Sequence, residues 1–267
     1  MNELTVEAVV RLIGEKLEAA VSQFEESILA VVAKKKGISE KIGTAFLYQQ
    51  ADISCLVTAS HVVEHANKFG EIYLLNKAGR YFSLESIEDK SYQARQSSEV
   101  DYYVCKVNLN PSISPISCES LAADCVPDPC LVFGFPNSKN KNLLKRVSKR
   151  HNLTALRLHL YNANSKEVAV PSFADSRYFG KWHEKIALDV NGSQVNSVSI
   201  RGMSGAPCFH IAIQSDDILK KGGSSPSVFL AGVLIEYEKS VVKFLKFSEI
   251  QKVIEKAQNK LTRTPKT

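Results

Sequence analysis

From Gly37 onward the chain is written in short apolar runs, rich in β-branched and aromatic residues and separated by polar breaks. That texture commits it to strands, because each run is too short for a core helix and is bounded by turn-forming residues. Residues 43–48 and 55–59 read as two strands joined by Gln49-Gln50-Ala51-Asp52, and 71–75 and 81–84 as two more. A further strand opens at Asp101 and runs to Val107. Pro111, Pro115, Pro127 and Pro129 then break the chain into a connecting stretch, where a boundary between two lobes is expected. Beyond it, residues 130–134, 153–161, 167–170, 186–190, 194–200 and 228–235 supply strands, and residues 247–261 read as a closing helix with Ile250, Val253, Ile254 and Ala257 on one face.

The N-terminal stretch has a different period. Val6, Val10, Ile13, Leu17, Ala20, Phe24, Leu29 and Val32 fall mostly three or four apart, which predicts one amphipathic helix over residues 1–37, ended by Lys34-Lys35-Lys36-Gly37. A helix of that length offers residues 4–32 as a coiled-coil or docking surface for a second copy or another protein; the plainer reading lays it along its own barrel. Residues 261–267 form a tail.

One turn carries chemistry. In Arg201-Gly202-Met203-Ser204-Gly205-Ala206-Pro207 a serine stands between glycines, so its hydroxyl is uncrowded and neighbouring backbone N–H groups can point the same way. Serine needs a base to take its proton and a group to orient that base. His61 ends the run Thr58-Ala59-Ser60-His61-Val62-Val63, and Asp101 opens a strand; Glu99, Asp89 and Asp124 are other carboxylates in reach of the argument, and His65 another imidazole. The order is His, Asp, Ser, with 40 residues from His61 to Asp101 and 103 from Asp101 to Ser204. An α/β-hydrolase needs its histidine after the serine, and the one available is His210, six residues on.

At these residues the sequence resembles the trypsin/chymotrypsin-like serine peptidases, in particular intracellular bacterial members, over roughly residues 38–260. The segments that carry the resemblance are Gly43-Thr44-Ala45-Phe46, Leu56 to Val63, Asp101 to Val107, Cys130 to Pro136 and Gly202 to Pro207. The resemblance implies a mainly β fold with two six-stranded barrels, the first over residues 38–115 and the second over 128–246, followed by a helix at 247–260. It implies His61, Asp101 and Ser204 as catalytic residues, the N–H groups of Gly202 and Ser204 as the oxyanion hole, and Ile235, Glu236 and Tyr237 as walls of the pocket for the substrate side chain before the cut bond. The substrate is then a peptide or protein, and the chemistry calls for no metal and no organic cofactor. Met203 stands where many animal members have an aspartate that pairs with a newly cut N-terminus, and Ala206 replaces a second glycine. Activation by that ion pair is therefore excluded, and control by a partner acting through the N-terminal helix is one expectation.

Bulk properties narrow the rest. A net charge of +6 on 267 residues is a mild excess and does not imply nucleic acid; the basic run at residues 139–150 lacks interleaved aromatics and reads as a solvated loop. No apolar run reaches the roughly 18 residues that span a bilayer, and Asn2-Glu3-Leu4 opens no signal peptide, so a cytoplasmic location is expected. The six cysteines show no C-x-x-C spacing, and Val62 follows His61 where secreted animal members carry a cysteine. A peptidase fold that keeps its groove only to bind a partner peptide is the rival reading. Glu236 would favour a basic side chain if its charge faces the pocket.

Overall fold

The computed structural model describes residues 16, 19–96, 100–108, 113–122, 130–140, 156–162, 177–181, 187–188, 194–195, 199–212, 226–238 and 241–263. Its first part contains β1 (Ile28–Lys35), β2 (Ile38–Gln50), β3 (Ile53–Thr58), α1 (Ser60–Phe69), β4 (Glu71–Asn76), β5 (Tyr81–Ser83), α2 (Leu84–Ile87), β6 (Glu88–Gln96) and β7 (Tyr102–Val107). The strands pair antiparallel in one seven-stranded sheet, order β5-β4-β1-β2-β3-β7-β6.

The second part contains β8 (Cys130–Gly134), β9 (Leu156–Asn162), β10 (Arg177–Lys181), β11 (Ala187–Leu188), β12 (Gln194–Val195), β13 (Pro207–Ala212), β14 (Ser227–Glu238) and β15 (Val241–Lys246). Six of these strands close a barrel in the order β10-β15-β14-β13-β8-β9, while β11 and β12 form a separate ribbon. Of the two six-stranded barrels expected, the second is found; the first is a seven-stranded sheet whose edge strands β5 and β6 are not paired to each other. The helix expected at 247–260 is α3 (Phe247–Arg263).

The largest correction concerns the N-terminus. Among the described residues, helix covers 16 and 19–22, a short 3₁₀ turn follows at Glu25–Ser27, and the stretch from Ile28 is strand, not helix. Ile28 to Ala33 are six consecutive buried residues, four of them with side chains at or near zero exposure, and the strand has neighbours on both sides. A continuous apolar run carries no period of its own, so its residues can be fitted to helical spacing; burial on both faces of a central strand is what selects β. A boundary at residue 37 would therefore cut between two paired strands. Residues 1–15, 17 and 18 of the expected helix, Glu99 and Asp124 among the alternative carboxylates, residues 141–150 of the basic run, residues 167–170, parts of the strands expected at 153–161, 186–190 and 194–200, and the tail from 264 lie outside the described residues.

The two parts are stitched together at several levels. The connecting segment pairs with β2 at Ile116, through Ile116 N–H to Leu47 O and Gln49 N–H to Ile116 O, both 2.8 Å, and with β14 through Leu121 N–H to Leu230 O at 3.0 Å. Phe24 stacks on Phe209 of the barrel, with ring centroids 5.4 Å apart. Helix α3 returns to the first sheet: Phe247 packs edge-on against Tyr48 at 4.6 Å, Tyr92 Oη donates to Val253 O at 3.0 Å, and Gln258 Nε2 donates to Gln50 O at 3.0 Å. The main apolar cluster accordingly runs from Ala20, Val21 and Phe24 through the first sheet to Phe209, Leu230, Val233, Phe247, Ile250 and Ile254.

Because β1 sits third in the sheet order, removing residues 1–36 deletes a central strand and the Phe24 contact with the barrel. The truncated protein is expected to lose its cooperative thermal transition and near-ultraviolet circular dichroism. A soluble, folded truncation would show that the N-terminal segment is a detachable handle after all.

Candidate active site

The register of the first sheet brings His61 and Asp101 together. Thr58, the last residue of β3, pairs with Tyr103 of β7, so the residue that opens α1 lies beside the residue that precedes β7. Ala59 is the N-cap of α1 and has no side chain able to cap it, leaving first-turn N–H groups without intrahelical partners. Asp101 fills that gap from another strand. Its Oδ1 accepts from His61 N–H at 3.1 Å and its Oδ2 lies 2.5 Å from His61 Nδ1. The carboxylate is largely buried and the imidazole half exposed. That hydrogen bond to Asp101 is the chief reason the His61 pKa is raised above 6.5, against the opposing effect of burial. With Nδ1 turned to the carboxylate, Nε2 is the ring nitrogen left for other work.

The first turn of α1 is braced on its other side. Arg95 of β6 donates from Nε to Ser60 Oγ at 2.8 Å and its guanidinium pairs with Glu64, while Ser60 Oγ donates to Glu64 at 3.2 Å. These contacts fix the turn that carries His61.

The serine turn of the second part docks against the same corner of the first sheet. Thr44 N–H donates to Ser204 O at 2.8 Å, and Thr44 O accepts from Thr58 Oγ1 at 2.7 Å, so Thr44 joins the serine turn to the end of the strand that leads into His61. The fit leaves no room for side chains. A Cβ on Gly205, whose φ is +87°, would lie 2.0 Å from Thr44 O and 2.1 Å from Thr58 Oγ1; one on Gly43 would lie 2.6 Å from Val62 and 3.0 Å from Ser204 O. Gly43 thus lies against both the Ser204 carbonyl and Val62, the neighbour of His61. Among the described residues the Ser204 hydroxyl has no hydrogen-bond partner, His61 included.

The backbone of the turn is almost fully used. Met203 N–H donates to Ile200 O at 2.9 Å, Gly205 N–H to Leu234 O at 2.7 Å, and Ala206 N–H to Met203 O at 2.9 Å; Arg201 O accepts from Asn137 N–H at 2.8 Å. Gly202 and Ser204 are the two residues of this turn whose N–H groups have no partner among the described residues. Two free N–H donors beside a half-buried serine hydroxyl can bind a developing oxyanion. Met203 is fully buried in the second apolar cluster with Ala206, Cys130, Val132 and Leu234, so an apolar plug fills the position.

Lys41 of β2 is a site residue that sequence reasoning missed. Its Nζ donates to Gly202 O at 2.7 Å and to Asn137 Oδ1 at 3.2 Å, and Thr44 Oγ1 donates to the same Gly202 carbonyl at 3.2 Å. Lys41 is 5% exposed, no carboxylate pairs with it among the described residues, and burial lowers its pKa from 10.5 to about 7. Its sequence neighbours Ser39 and Glu40 are polar, so nothing local sets it apart from a solvated charge.

The expected pocket walls are placed unevenly. Ile235 is 4% exposed and belongs to the main core, because the ladder between β14 and β15 slips between Leu234 and Glu236 and Ile235 is the bulged residue. Glu236 is exposed, contributes to raising the His61 pKa, and is paired with Lys243 at 2.8 Å; Tyr237 is half-buried against the second cluster. Among the described residues no group of three or more His, Cys, Asp or Glu side chains could hold a metal ion, the five cysteines present are free thiols, and no helix is long and apolar enough to cross a membrane.

Comparison with known proteins places the fold. No protein-family model matches the sequence, and no curated protein does. Among solved structures the chain is similar to the serine endoprotease from Yersinia pestis, with a TM-score of 0.50 and 15% sequence identity over 91% of this chain and 66% of that one. This chain thus spans just under two thirds of the neighbour's length, and at that identity the likeness is one of fold.

A buried lysine with no carboxylate beside it among the described residues opposes folding. The unfolded chain binds this proton below pH 10.5 and the folded one only below about 7, so the penalty grows as pH falls between those values and is complete below the lower one. Fully expressed it is on the order of 5 kcal/mol, before the two hydrogen bonds offset part of it. Lys41→Met should therefore raise the urea midpoint, most at pH 6 and progressively less toward pH 10. A variant less stable than the parent at pH 6 would show that the hydrogen bonds outweigh the desolvation.

Proposed function

We propose that this protein is a trypsin-like serine endopeptidase. The observation that carries the reading is the grip of Asp101 on His61 through both ring nitrogen and backbone N–H, together with a turn, docked on Thr44, in which the Ser204 hydroxyl and the Gly202 and Ser204 N–H groups have no partner among the described residues. In this reading Nε2 of His61 takes the proton of Ser204 as the hydroxyl attacks a peptide carbonyl. Asp101 keeps the ring in the tautomer that exposes Nε2 and stabilises the imidazolium that forms. The N–H groups of Gly202 and Ser204 receive the oxyanion of the tetrahedral intermediate. The imidazolium returns its proton to the leaving amine, and water, activated by the same histidine, releases the acyl group.

Substrate choice follows from what lies near the pair. Glu236 is the acidic group expected to favour a basic side chain, but Lys243 already neutralises part of its charge, so selectivity for lysine or arginine should be weak. Partner control through residues 4–32 has less chain to work with than the periodicity implied, since the residues from Ala20 that are buried are committed to the core. A reducing compartment suits the buried free thiols.

The unmade hydrogen bond between Ser204 and His61 favours one rival, a peptidase fold that binds without cutting. Labelling with a fluorophosphonate separates the two: the proposal expects labelling of the parent that disappears in Ser204→Ala and His61→Ala. An unlabelled parent would leave the binding module standing. The pH profile adds a second check. His61 acts as a base only when neutral, and its pKa is raised, so the labelling rate should rise with pH through a midpoint above 6.5. Asp101→Asn should slow turnover by roughly four orders of magnitude and move that midpoint down. A midpoint that stays put would mean that Asp101 does not govern this histidine.

A further inference from the structure

We infer that Lys41 is a positioning residue which holds the turn before Ser204 in the shape that leaves the Gly202 and Ser204 N–H groups free. The inference rests on the peptidase reading above, and it names what keeps that site assembled.

The geometry argues for it in three ways. First, a peptide unit is planar, so the Arg201 carbonyl sets where the Gly202 N–H points and the Gly202 carbonyl sets where the Met203 N–H points; holding both fixes the two peptide planes that flank Gly202 and with them the course of the turn into Ser204. Arg201 O is held by Asn137 N–H, and Gly202 O by the Lys41 amine and the Thr44 hydroxyl. Second, Gly202 has φ +90°, a conformation from which a free glycine turn readily departs, so something outside the turn must hold it. Asn137 serves both ends of this clamp. Its backbone N–H takes the Arg201 carbonyl while its side-chain oxygen accepts from Lys41, and it packs so closely that a Cβ on Gly202 would lie 2.0 Å from that oxygen.

Third, the lysine comes from the first sheet and the turn from the second part of the chain, 161 residues apart. The clamp therefore registers the two halves of the site against each other, alongside the Thr44 to Ser204 backbone bond. Met203 is an apolar plug and offers no charge to anchor the turn. A buried amine with two neutral acceptors and no carboxylate among the described residues is a poor contributor to folding, so its presence at this one carbonyl asks for a role in the site.

The test uses the full-length protein and a fluorophosphonate probe whose phosphoryl oxygen occupies the oxyanion position after attack. Lys41→Met keeps the length and apolar stem of the side chain but removes the donor. The expected result is a limiting labelling rate at least tenfold below the parent, an unchanged half-saturating probe concentration, an unchanged pH midpoint for labelling, and thermal stability no lower than the parent's. That combination distinguishes loss of the turn's shape from a general loosening, which would lower stability and disturb the His61 titration as well. If Lys41→Met does not fold, Lys41→Gln, whose amide ends short of the Gly202 carbonyl, is expected to give the same rate loss in a folded protein. A folded variant that labels within twofold of the parent overturns the positioning role. A parent that labels at no measurable rate instead overturns the peptidase reading beneath it.

Discussion

One backbone hydrogen bond, from Thr44 N–H to Ser204 O, joins the two parts of the molecule where the chemistry would occur. It is short, and it is enclosed on both sides by glycines that cannot be enlarged: Gly43 against Val62 and Gly205 against Thr44 and Thr58. Thr44 itself is fully buried and fully used. Its carbonyl takes the Thr58 hydroxyl, and its own hydroxyl donates to Gly202 O and accepts from Phe135 N–H. A single threonine thus ties the strand leading into His61, the opening of the second part and the serine turn to one another. Any half-ångström shift in this corner would be felt by all three.

The surrounding architecture supports that corner in layers. The connecting segment pairs with β2 and β14, Phe24 and Phe209 stack across the two parts, and α3 closes over Phe46 and Tyr48. These contacts are apolar or backbone in kind. The polar contacts at the site behave differently. Asp101 caps a helix that lacks a cap of its own, which turns a local deficiency of α1 into a fixed place for the imidazole. Lys41 is buried where it weakens the fold, and what it touches is the carbonyl of Gly202. Stability and the shape of the site are thus in opposition at this residue, as is common where side chains are kept for what they do.

Much of this was legible in the chain. Short β-branched runs between polar breaks were enough to read β2, β3, β4, β5 and β7, whereas β6, Glu88–Gln96, is polar along most of its length and gave no such signal; the resemblance at His61 and Asp101 implied the contact between those two side chains. The errors have physical sources. Residues 28–33 are apolar throughout, and a run without alternation fits a helix as well as a central strand until its neighbours are known. Together with the unread β6, this left the first sheet two strands short of the seven it has. The resemblance implied Ile235, Glu236 and Tyr237 as pocket walls together, but a bulge, which no local pattern marks, turns Ile235 into the core apart from the other two. Lys41 lies before the strand read at 43–48, in the polar Ser39-Glu40-Lys41, where a charge ordinarily faces water; only the close approach of a turn 161 residues away gives it a partner.

The account stands or falls on whether the serine turn and the His61 corner form one reactive site. The most direct measurement is a crystal structure of the protein after treatment with a fluorophosphonate. The predicted density joins phosphorus to Ser204 Oγ, with the phosphoryl oxygen within hydrogen-bonding distance of the Gly202 and Ser204 N–H groups and the His61 ring, still held by Asp101, turned toward the adduct. An unmodified serine, or an adduct whose oxygen points away from both N–H groups, would contradict it.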